Sequence, residues 1–214
     1  MSGLAVDEDY FESLYRDSAD PWGFGTRWYE QRKRALTLAA LPHRRYRSAL
    51  EAGCATGELA VELAGRCEHL LACDFHEGAL HRARLRLAGY PQARVERRRL
   101  PQDWPDGVFE LIVVSELGYY LGDRDLDELL RRTRAGLSDG AVLLACHWRH
   151  RFAEAVRDGD AVHAAFAALG LPRLLRHEEP DFLLEAWSPD PTSVAAREGL
   201  SAMTDPTPSE QETR

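Results

Sequence analysis

From about residue 48 onward, short apolar segments alternate with amphipathic helical segments, and this alternation leaves few architectures open to the chain. The run Leu-Ile-Val-Val within Phe109–Ser115 is typical of a parallel strand that is covered on both faces. Strands that alternate with helices form a mostly parallel, doubly wound sheet. The predicted strands are the segment around Leu50, His69–Asp74, Ala93–Arg98, Phe109–Ser115 and Ala141–Cys146, and the predicted helices between and after them are Leu59–Cys67, Glu77–Ala88, Asp123–Gly136 and Asp158–Leu169.

The last two predicted strands, Arg173–His177 and Phe182–Trp187, flank a short polar turn. They indicate a closing antiparallel hairpin, so we expect an α/β fold with a seven-stranded, mostly parallel sheet. A chain of 214 residues is long enough for one well-buried domain. We place that domain at residues 10–188 and expect residues 10–42, which are rich in aromatic side chains, to form a helical lid. Residues 1–9 are expected to be frayed, and residues 189–214 to be a disordered tail because their composition is polar and Pro-rich.

The charge and cysteine pattern exclude several classes of protein. A net charge of −8 disfavours a general nucleic-acid binder, since such proteins gain affinity by neutralising phosphates. No apolar run approaches the ~20 residues that cross a bilayer, and Met1–Asp9 lacks the apolar part of a secretory signal. The four cysteines form no C-x-x-C pair, which indicates neither a zinc site nor a disulfide framework. We therefore expect a reduced, cytoplasmic setting, no metal and no membrane partner.

The stretch Glu51–Gly57 has the form acidic-x-Gly-x-x-x-Gly where the first strand passes into a helix. Glycines let the backbone come close to a ligand, and the N–H groups that open the helix face it. Asp74 ends the next strand, about 20 residues further on, where such folds place a carboxylate on ribose hydroxyls. A dinucleotide site would have a middle glycine, whereas this turn has Cys54 and Ala55 there. The turn therefore favours a nucleoside ligand without a pyrophosphate over NAD or FAD.

These motifs resemble those of a known enzyme class. Glu51–Gly57 and Leu71–Asp74 resemble motifs I and II of the class I S-adenosylmethionine-dependent methyltransferases, and Trp104–Glu116 resembles the motif that leads into their fourth strand. The resemblance implies a Rossmann-like fold and S-adenosylmethionine as the cofactor.

A narrower resemblance, to the nodulation protein S (NodS)-like methyltransferases, is carried by Asp20–Trp22, Trp28–Lys33, Ser115–Tyr120 and His147–His150, and it covers residues 10–188. Founding members of that family N-methylate the free amine of a de-N-acetylated chitooligosaccharide. The resemblance thus implies in-line methyl transfer to an amine on an amino sugar or on another small metabolite.

The resemblance also implies roles for individual residues. Gly53 and Gly57 would let the backbone approach the methionine moiety, and Glu51 would organise the turn. Asp74 would accept hydrogen bonds from both ribose hydroxyls. The implied cofactor contacts are Glu51, Gly53, Cys54, Gly57, Asp74, Phe75, Leu100 and Ser115, with Phe75 and Leu100 beside the adenine. The sequence departs from the family after the third strand, where many relatives have an acidic residue and this chain has Arg98 and Arg99; Asp103 is the nearest acid.

An amine must be neutral to attack, and it must be held in line with the methyl group about 3 Å away. A nearby base can take its proton, and the candidates are Glu116, after the fourth strand, and His147, at the end of the fifth. Glu116 has the alternative role of capping a turn or binding the ligand's amino group. His147 and His150 have the alternative role of structural hydrogen bonding, and their spacing along a strand puts them on opposite faces, which disfavours a metal pair.

Aromatic faces suit sugar rings and a sulfonium cation. We assign Trp22, Trp28 and Tyr120 to the acceptor pocket, and we assign Tyr10, Phe11 and Tyr15, which recur at helical spacing, to packing. On a second helix, about residues 29–40, we expect Ala35, Leu36, Ala39 and Ala40 to face inward and Arg32, Lys33 and Arg34 to face mostly outward. Arg32 and Lys33 have the alternative role of meeting the cofactor carboxylate from the lid.

Three other functions remain open from the sequence. One is an O-methyltransferase of a phenol or carboxylate on the same fold, and another is a protein that binds the cofactor without turnover. A nicotinamide oxidoreductase is disfavoured by the missing middle glycine.

Overall fold

A computed structural model describes residues 8–200, which form one seven-stranded sheet with helices on both faces. The strands are β1 (Tyr46–Ala52), β2 (Cys67–Asp74), β3 (Ala93–Arg97), β4 (Phe109–Ser115), β5 (Leu137–Trp148), β6 (Arg173–Glu178) and β7 (Phe182–Trp187). The helices are α1 (Glu8–Asp17), α2 (Trp28–Ala39), α3 (Glu58–Ala64), α4 (Glu77–Leu87), α5 (Asp123–Gly136), α6 (Gly159–Ala167) and α7 (Val194–Arg197), and a 3-10 turn covers Gly118–Tyr120.

The strand order is β3-β2-β1-β4-β5-β7-β6. The pairs among β1 to β5 are parallel, whereas β7 is antiparallel to both β5 and β6. The predicted fold, a mostly parallel sheet with a closing hairpin, is confirmed. The hairpin has one feature that the sequence did not indicate: its second strand, β7, lies inside the sheet and its first strand, β6, forms the edge.

The apolar residues of β4 supply both halves of the core. Ile112 and Val114 belong to the cluster beneath α1, α5 and α6, whereas Leu111 and Val113 belong to the cluster beneath α3 and α4. All four side chains are fully buried. This alternation follows from the two-residue period of a strand, and it explains why the run carries no polar residue between Leu111 and Val114.

The orientation of α2 differs from the prediction. Lys33 is only 5% exposed, whereas Ala35 and Ala39 are exposed. The expectation that Lys33 lies on a solvated face is therefore wrong. The reason is that α2 packs its Glu30, Lys33 and Thr37 face toward the carboxyl end of the sheet, where a carboxylate from β4 meets the lysine.

The predicted ends of the domain are only partly within the described residues. Residues 1–7 and 201–214, which belong to the predicted frayed start and disordered tail, lie outside them. Residues 191–200 are exposed and include the short helix α7, so the boundary at residue 188 stays a prediction. Within residues 8–200, no helix has both the length and the apolar character needed to cross a bilayer, and no cluster of three side chains suited to a metal ion is found.

Gly57 provides a test of the turn between β1 and α3. Its φ is +85°, and a Cβ added there would lie 2.9 Å from both Cα and Cβ of Ala83 on α4. We expect Gly57→Ala to lower the free energy of unfolding by about 2–4 kcal/mol, because left-handed backbone and overpacking both penalise the methyl group. Urea unfolding measures the change. Gly89→Ala is the control, since no atom lies within 4 Å of its added Cβ; equal effects of the two substitutions would contradict the prediction.

Candidate active site

A cavity of about 670 Å³ lies beyond the carboxyl ends of β1, β2 and β4, beneath α1 and α2. Strand order reverses between β1 and β4, and open parallel sheets bind ligands at such a switch point. The cavity brings together most of the residues that the sequence suggested: Glu51, Gly53, Cys54, Asp74, Phe75, Leu100, Ser115, Glu116, Trp22 and Tyr120.

The turn after β1 is built to expose backbone to the cavity. Gly53 has a φ of +83°, and the N–H groups of Gly53 and Cys54 both donate to the Cys73 carbonyl at 2.9 Å. This anchors the turn to the end of β2. A side chain at residue 53 would require left-handed backbone, which L residues with a Cβ rarely adopt.

Asp74 is oriented by that same turn. Its Oδ2 accepts a hydrogen bond from the Ala55 N–H at 3.0 Å, and its Oδ1 accepts one from the His76 N–H at 3.0 Å. Burial raises the pKa of Asp74, although these N–H groups act in the opposite direction. A carboxylate oxygen has more than one lone-pair site, so each oxygen retains acceptor capacity toward the cavity that the residue lines.

Within residues 8–200, three buried polar atoms of cavity-lining residues accept or donate no hydrogen bond: Glu51 Oε2, the Tyr29 hydroxyl and Glu58 Oε1. Glu58 Oε1 has an ion pair with Arg86 at 2.7 Å, which leaves Glu51 Oε2 and the Tyr29 hydroxyl. Burial, together with the charges of Glu58 and Asp74, raises the pKa of Glu51 well above its usual value. Buried polar atoms are normally hydrogen-bonded. These two atoms are therefore suited to polar groups of a bound molecule.

At the far end of the cavity, Phe75 and Leu100 face a basic segment. The Arg99 guanidinium lies 5.4 Å from the Phe75 ring centroid, and Arg98 and Arg99 both line the cavity. Asp103 does not line this cavity; its Oδ2 accepts from the Arg99 N–H at 3.1 Å. The acidic contact that many relatives have after the third strand is thus absent from this wall within the described residues.

Helix α1 forms an aromatic roof over the cavity. Phe11 contacts Phe75 and Tyr120 edge to face, with ring centroids 5.2 and 5.3 Å apart. Tyr15 stacks on His76 at 4.5 Å. Phe11 and Tyr15 are buried, as expected of packing residues, yet they line the cavity together with Tyr10. The packing role of Phe11 and Tyr15 is confirmed, and the same face of α1 also lines the cavity.

Where α2 meets the end of β4, Glu30, Lys33, Glu116 and Tyr119 form a charged group, which we call the lysine cluster. Lys33 Nζ lies 2.6 Å from Glu116 Oε1 and 3.0 Å from Glu30 Oε2. Glu116 Oε2 accepts from the Tyr119 hydroxyl at 2.6 Å and from the Trp148 N–H at 2.9 Å. Glu116 was predicted for this site, and Lys33 was considered only as an alternative contact of the cofactor carboxylate. Glu30 was not predicted, although it lies in the Trp28–Lys33 motif.

Burial alone would raise the pKa of Glu116, but the Lys33 charge and the hydrogen bonds from Lys33 and Tyr119 outweigh it, so the pKa lies below its usual value. Burial lowers the proton affinity of Lys33, but its carboxylate neighbours, Glu116 above all, raise the pKa of Lys33 overall. At neutral pH the lysine cluster therefore contains a charged lysine and an ionised Glu116.

His147 is not brought to the cavity, which corrects its assignment as a base. Its ring is fully buried; Nε2 accepts from the Gly118 N–H at 3.2 Å, and Nδ1 lies 3.2 Å from His163 Nε2. His163 continues to Glu185 Oε2 at 2.8 Å. Burial and the neighbouring His163 lower the pKa of His147 to about 3. Both ring nitrogens are used, so His147 holds the 3-10 turn Gly118–Tyr120 in place.

The structure corrects two further assignments, because neither Trp28 nor Gly57 lines the cavity. Trp28 is 73% exposed at the start of α2 and does not line the cavity; the next residue, Tyr29, turns toward it instead. Gly57 is buried against α4 and acts on the shape of the turn without lining the cavity.

Comparison with known proteins places the chain in a family. Residues 8–152 match the family model described as "Nodulation protein S (NodS)". The chain belongs to the nodulation protein S family. The family resemblance found in the sequence is thereby confirmed.

Individual proteins that are similar to this chain agree with the family match. The Nodulation protein S of Rhizobium tropici is 32% identical over 126 residues, which cover 58% of this chain and 52% of that protein. A crystal structure from Pseudomonas syringae, provisionally described as a methyltransferase, is 53% identical, has a TM-score of 0.68, and covers 76% of this chain and 99% of that chain. The chain spans about half the length of the curated relatives it matches.

The fold is shared with a NodS of known structure. N-methyltransferase NodS from Bradyrhizobium japonicum WM9, in complex with S-adenosyl-L-homocysteine, superposes with a TM-score of 0.77 over 85% of this chain and 98% of that chain. At 24% identity, this likeness shows the fold, and the chemistry of the present chain must be argued from its own residues.

Proposed function

We propose that this protein is an S-adenosylmethionine-dependent methyltransferase that N-methylates an amine on an amino sugar or on another small metabolite. One observation carries the proposal. A single cavity joins a nucleoside-binding end, with the oriented Asp74 carboxylate beside Phe75, to an end that contains the lysine cluster and aromatic rings. Membership in the NodS family and the likeness to N-methyltransferase NodS support the same activity.

The residues present fit the cofactor. Asp74 would accept from the ribose hydroxyls, the Phe75 ring and Leu100 would lie beside the adenine, and the Gly53 turn would follow the methionine part. Glu51 Oε2, which has no partner within residues 8–200, would accept from the ligand's amino group. When bound, S-adenosylmethionine supplies a methyl group that is activated by its sulfonium sulfur.

The acceptor end favours a cationic molecule that carries a ring. Glu30, Glu116, Glu154 and Asp181 line the cavity, and the cationic lining residues near α2 are Arg27, Lys33 and Arg34. Tyr29 and Trp148 present aromatic surface, with ring centroids 5.6 Å apart. Carboxylates select ammonium groups, and aromatic faces suit both sugar rings and cations. Trp22 and Tyr120 line the cavity as well, so we keep them as proposed contacts.

The protein itself contributes to the reaction in three ways: it positions the acceptor amine, excludes water from the cavity and removes a proton from the amine. The aromatic roof excludes water, and the cavity walls hold the amine in line with the methyl carbon, which converts the transfer to an intramolecular step. A carboxylate must then remove a proton from the amine before attack. We also propose that the protein works in the cytoplasm, because its four cysteines are free and buried.

The test has two parts. We expect S-adenosylhomocysteine at 100 times its Kd to stabilise the protein by about 2.7 kcal/mol in a thermal-shift assay, with NAD giving no shift. With S-adenosylmethionine, amino sugars in a panel of amines and phenols should then gain a methyl group. Methylation of phenols alone would identify an O-methyltransferase, binding without turnover on any acceptor would identify a cofactor-binding protein, and a shift with NAD alone would overturn the proposal.

A further inference from the structure

The two carboxylates of the lysine cluster have very different surroundings. Glu116 receives hydrogen bonds from three donors: Lys33 Nζ at 2.6 Å, the Tyr119 hydroxyl at 2.6 Å and the Trp148 N–H at 2.9 Å. Its backbone is held in the left-handed region, with a φ of +54°, a conformation that persists only where the surroundings enforce it. Glu116 is thus a fixed anion whose oxygens already have donors.

Glu30 is held much less firmly. Within residues 8–200, the hydrogen bond to its carboxylate comes from Lys33 Nζ, at 3.2 Å to Oε1, and the same nitrogen lies 3.0 Å from Oε2 in an ion pair. The lysine nitrogen is closer to Glu116 than to Glu30, so its charge chiefly compensates Glu116. The Glu30 side chain lines the cavity and is 8% exposed as a residue. Fewer donors therefore compete with a proton for the carboxylate oxygens of Glu30 than for those of Glu116.

The charged and titratable groups around Glu30 come from three elements. Lys33 and Arg34 lie on the same helix, α2; Glu116 follows β4; and Cys146 lies on β5. Burial raises the pKa of Glu30, while Lys33 opposes the shift and Glu116 adds to it. The pKa of Glu116 lies below its usual value. Paired groups whose environments separate their proton affinities are a common arrangement for acid–base work.

We propose that Glu30 is the proton acceptor of the methyl transfer, and that Glu116, clamped by Lys33, Tyr119 and Trp148, is a fixed anion that positions the amine. This inference rests on the proposed function. The acceptor enters as R–NH3+, and Glu30 takes one N–H proton to leave R–NH2. The nitrogen lone pair forms the N–C bond to the methyl carbon as the C–S bond breaks, with its electron pair left on sulfur. The product leaves as R–NH2+–CH3, and Glu30 returns its proton to solvent.

The first test needs neither cofactor nor acceptor. In the free protein labelled with ¹³C-glutamate, side-chain carboxyl signals are followed against pH and assigned with Glu30→Gln and Glu116→Gln. We expect the Glu30 signal to titrate at a higher pH than the Glu116 signal. The reverse order, or a Glu30 signal that titrates at the pH of an exposed glutamate, would overturn the assignment.

The second test uses S-adenosylmethionine with glucosamine, or with whichever amine of the panel the wild-type protein methylates. We expect Glu30→Gln to lower kcat by about 10²–10⁴-fold at pH 7, and the deficit to shrink as the pH rises above the acceptor's own pKa, where the amine arrives neutral. Glu30→Asp should recover part of the rate. Glu116→Gln should show a deficit that does not shrink with pH.

Affinity for S-adenosylhomocysteine, measured by calorimetry, should stay within about twofold in Glu30→Gln, because Glu30 is not among the proposed contacts of the cofactor. Glu68→Gln, at an exposed position of β2, is the matched control and should retain full rate. An unchanged rate in Glu30→Gln, or a deficit equal at every pH, would refute the role of Glu30. A wild-type protein that methylates no amine would instead refute the proposed function, and the carboxyl titration would still decide the order of proton affinities.

Discussion

Replacing Lys33 with methionine is expected to lower the free energy of unfolding by about 3–5 kcal/mol at pH 7, because the substitution leaves two buried carboxylates without their shared cation. Lys33 is 5% exposed and lies within 3.0 Å of carboxylate oxygens of both Glu30 and Glu116. Methionine occupies a similar length, so the loss reflects the missing charge more than a cavity. Urea unfolding at pH 7 gives the change directly.

The effect of Lys33→Met should depend on pH. In the wild-type protein the pKa of Glu116 is depressed, so its contribution is present above the unfolded value of about 4.3 and is lost as the pH falls through the folded value. Without Lys33 the pKa values of both carboxylates rise, and protonation relieves the uncompensated charge. The difference between the two proteins should therefore shrink between pH 7 and pH 4.5.

Arg32→Met is the matched control for this substitution. Arg32 is the preceding residue on α2, and its side chain is 43% exposed in an ion pair with Glu179. Exposed ion pairs contribute little to stability, so we expect a small change with little dependence on pH. Equal destabilisation by the two substitutions would show that the lysine cluster has no special energetic role.

Replacing Asp74 with alanine is expected to weaken S-adenosylhomocysteine binding by about 100-fold or more. Asp74 is proposed to accept from two ribose hydroxyls, and hydrogen bonds to a charged group contribute about 1.5–3 kcal/mol each. Its Oδ1 and Oδ2 are already oriented by the His76 and Ala55 N–H groups, so the wild-type carboxylate loses little freedom on binding. Isothermal titration calorimetry measures the affinity.

The Asp74→Ala experiment needs two controls. Urea unfolding of the variant separates a loss of affinity from a loss of fold, because the substitution also removes two acceptors from the turn. Asp103→Ala tests the other acidic residue near this end of the cavity. Since Asp103 does not line the large cavity, we expect it to change the affinity by less than about threefold. An Asp74→Ala variant that folds and binds with wild-type affinity would rule out the ribose contact.

Secondary structure could be predicted where the apolar residues of a segment follow a clear strand or helix pattern. The bounds of β4, α5 and β7 match the prediction, because Phe109–Ser115 and Phe182–Trp187 are short and apolar, and Asp123–Gly136 is strongly amphipathic. The residues at the cofactor end of the cavity could also be predicted from the sequence. Glycines and acidic residues at strand ends must meet at one edge of a parallel sheet, so Gly53 and Asp74 could be placed together without coordinates.

The acceptor end could not be predicted in the same way, because its contacts join distant parts of the chain. Lys33 meets Glu116, 83 positions further on, and no local pattern distinguishes a lysine with such a partner from one on a solvated helix face. His147 shows the opposite error. Its place at the end of β5 suggested a base, but its role depends on His163, 16 positions away, which takes up the second ring nitrogen.

The position of β7 between β5 and β6 has a consequence for how the sheet is completed during synthesis. Among the described strands, β6 pairs only with β7. When β6 leaves the ribosome, it therefore has no strand to pair with. Until residues 182–187 follow, the edge of β5 remains unpaired, and an open edge of this kind is prone to pair with other chains. We therefore expect the final hairpin to dock as one unit, and completion of the sheet to wait until β7 has been synthesised.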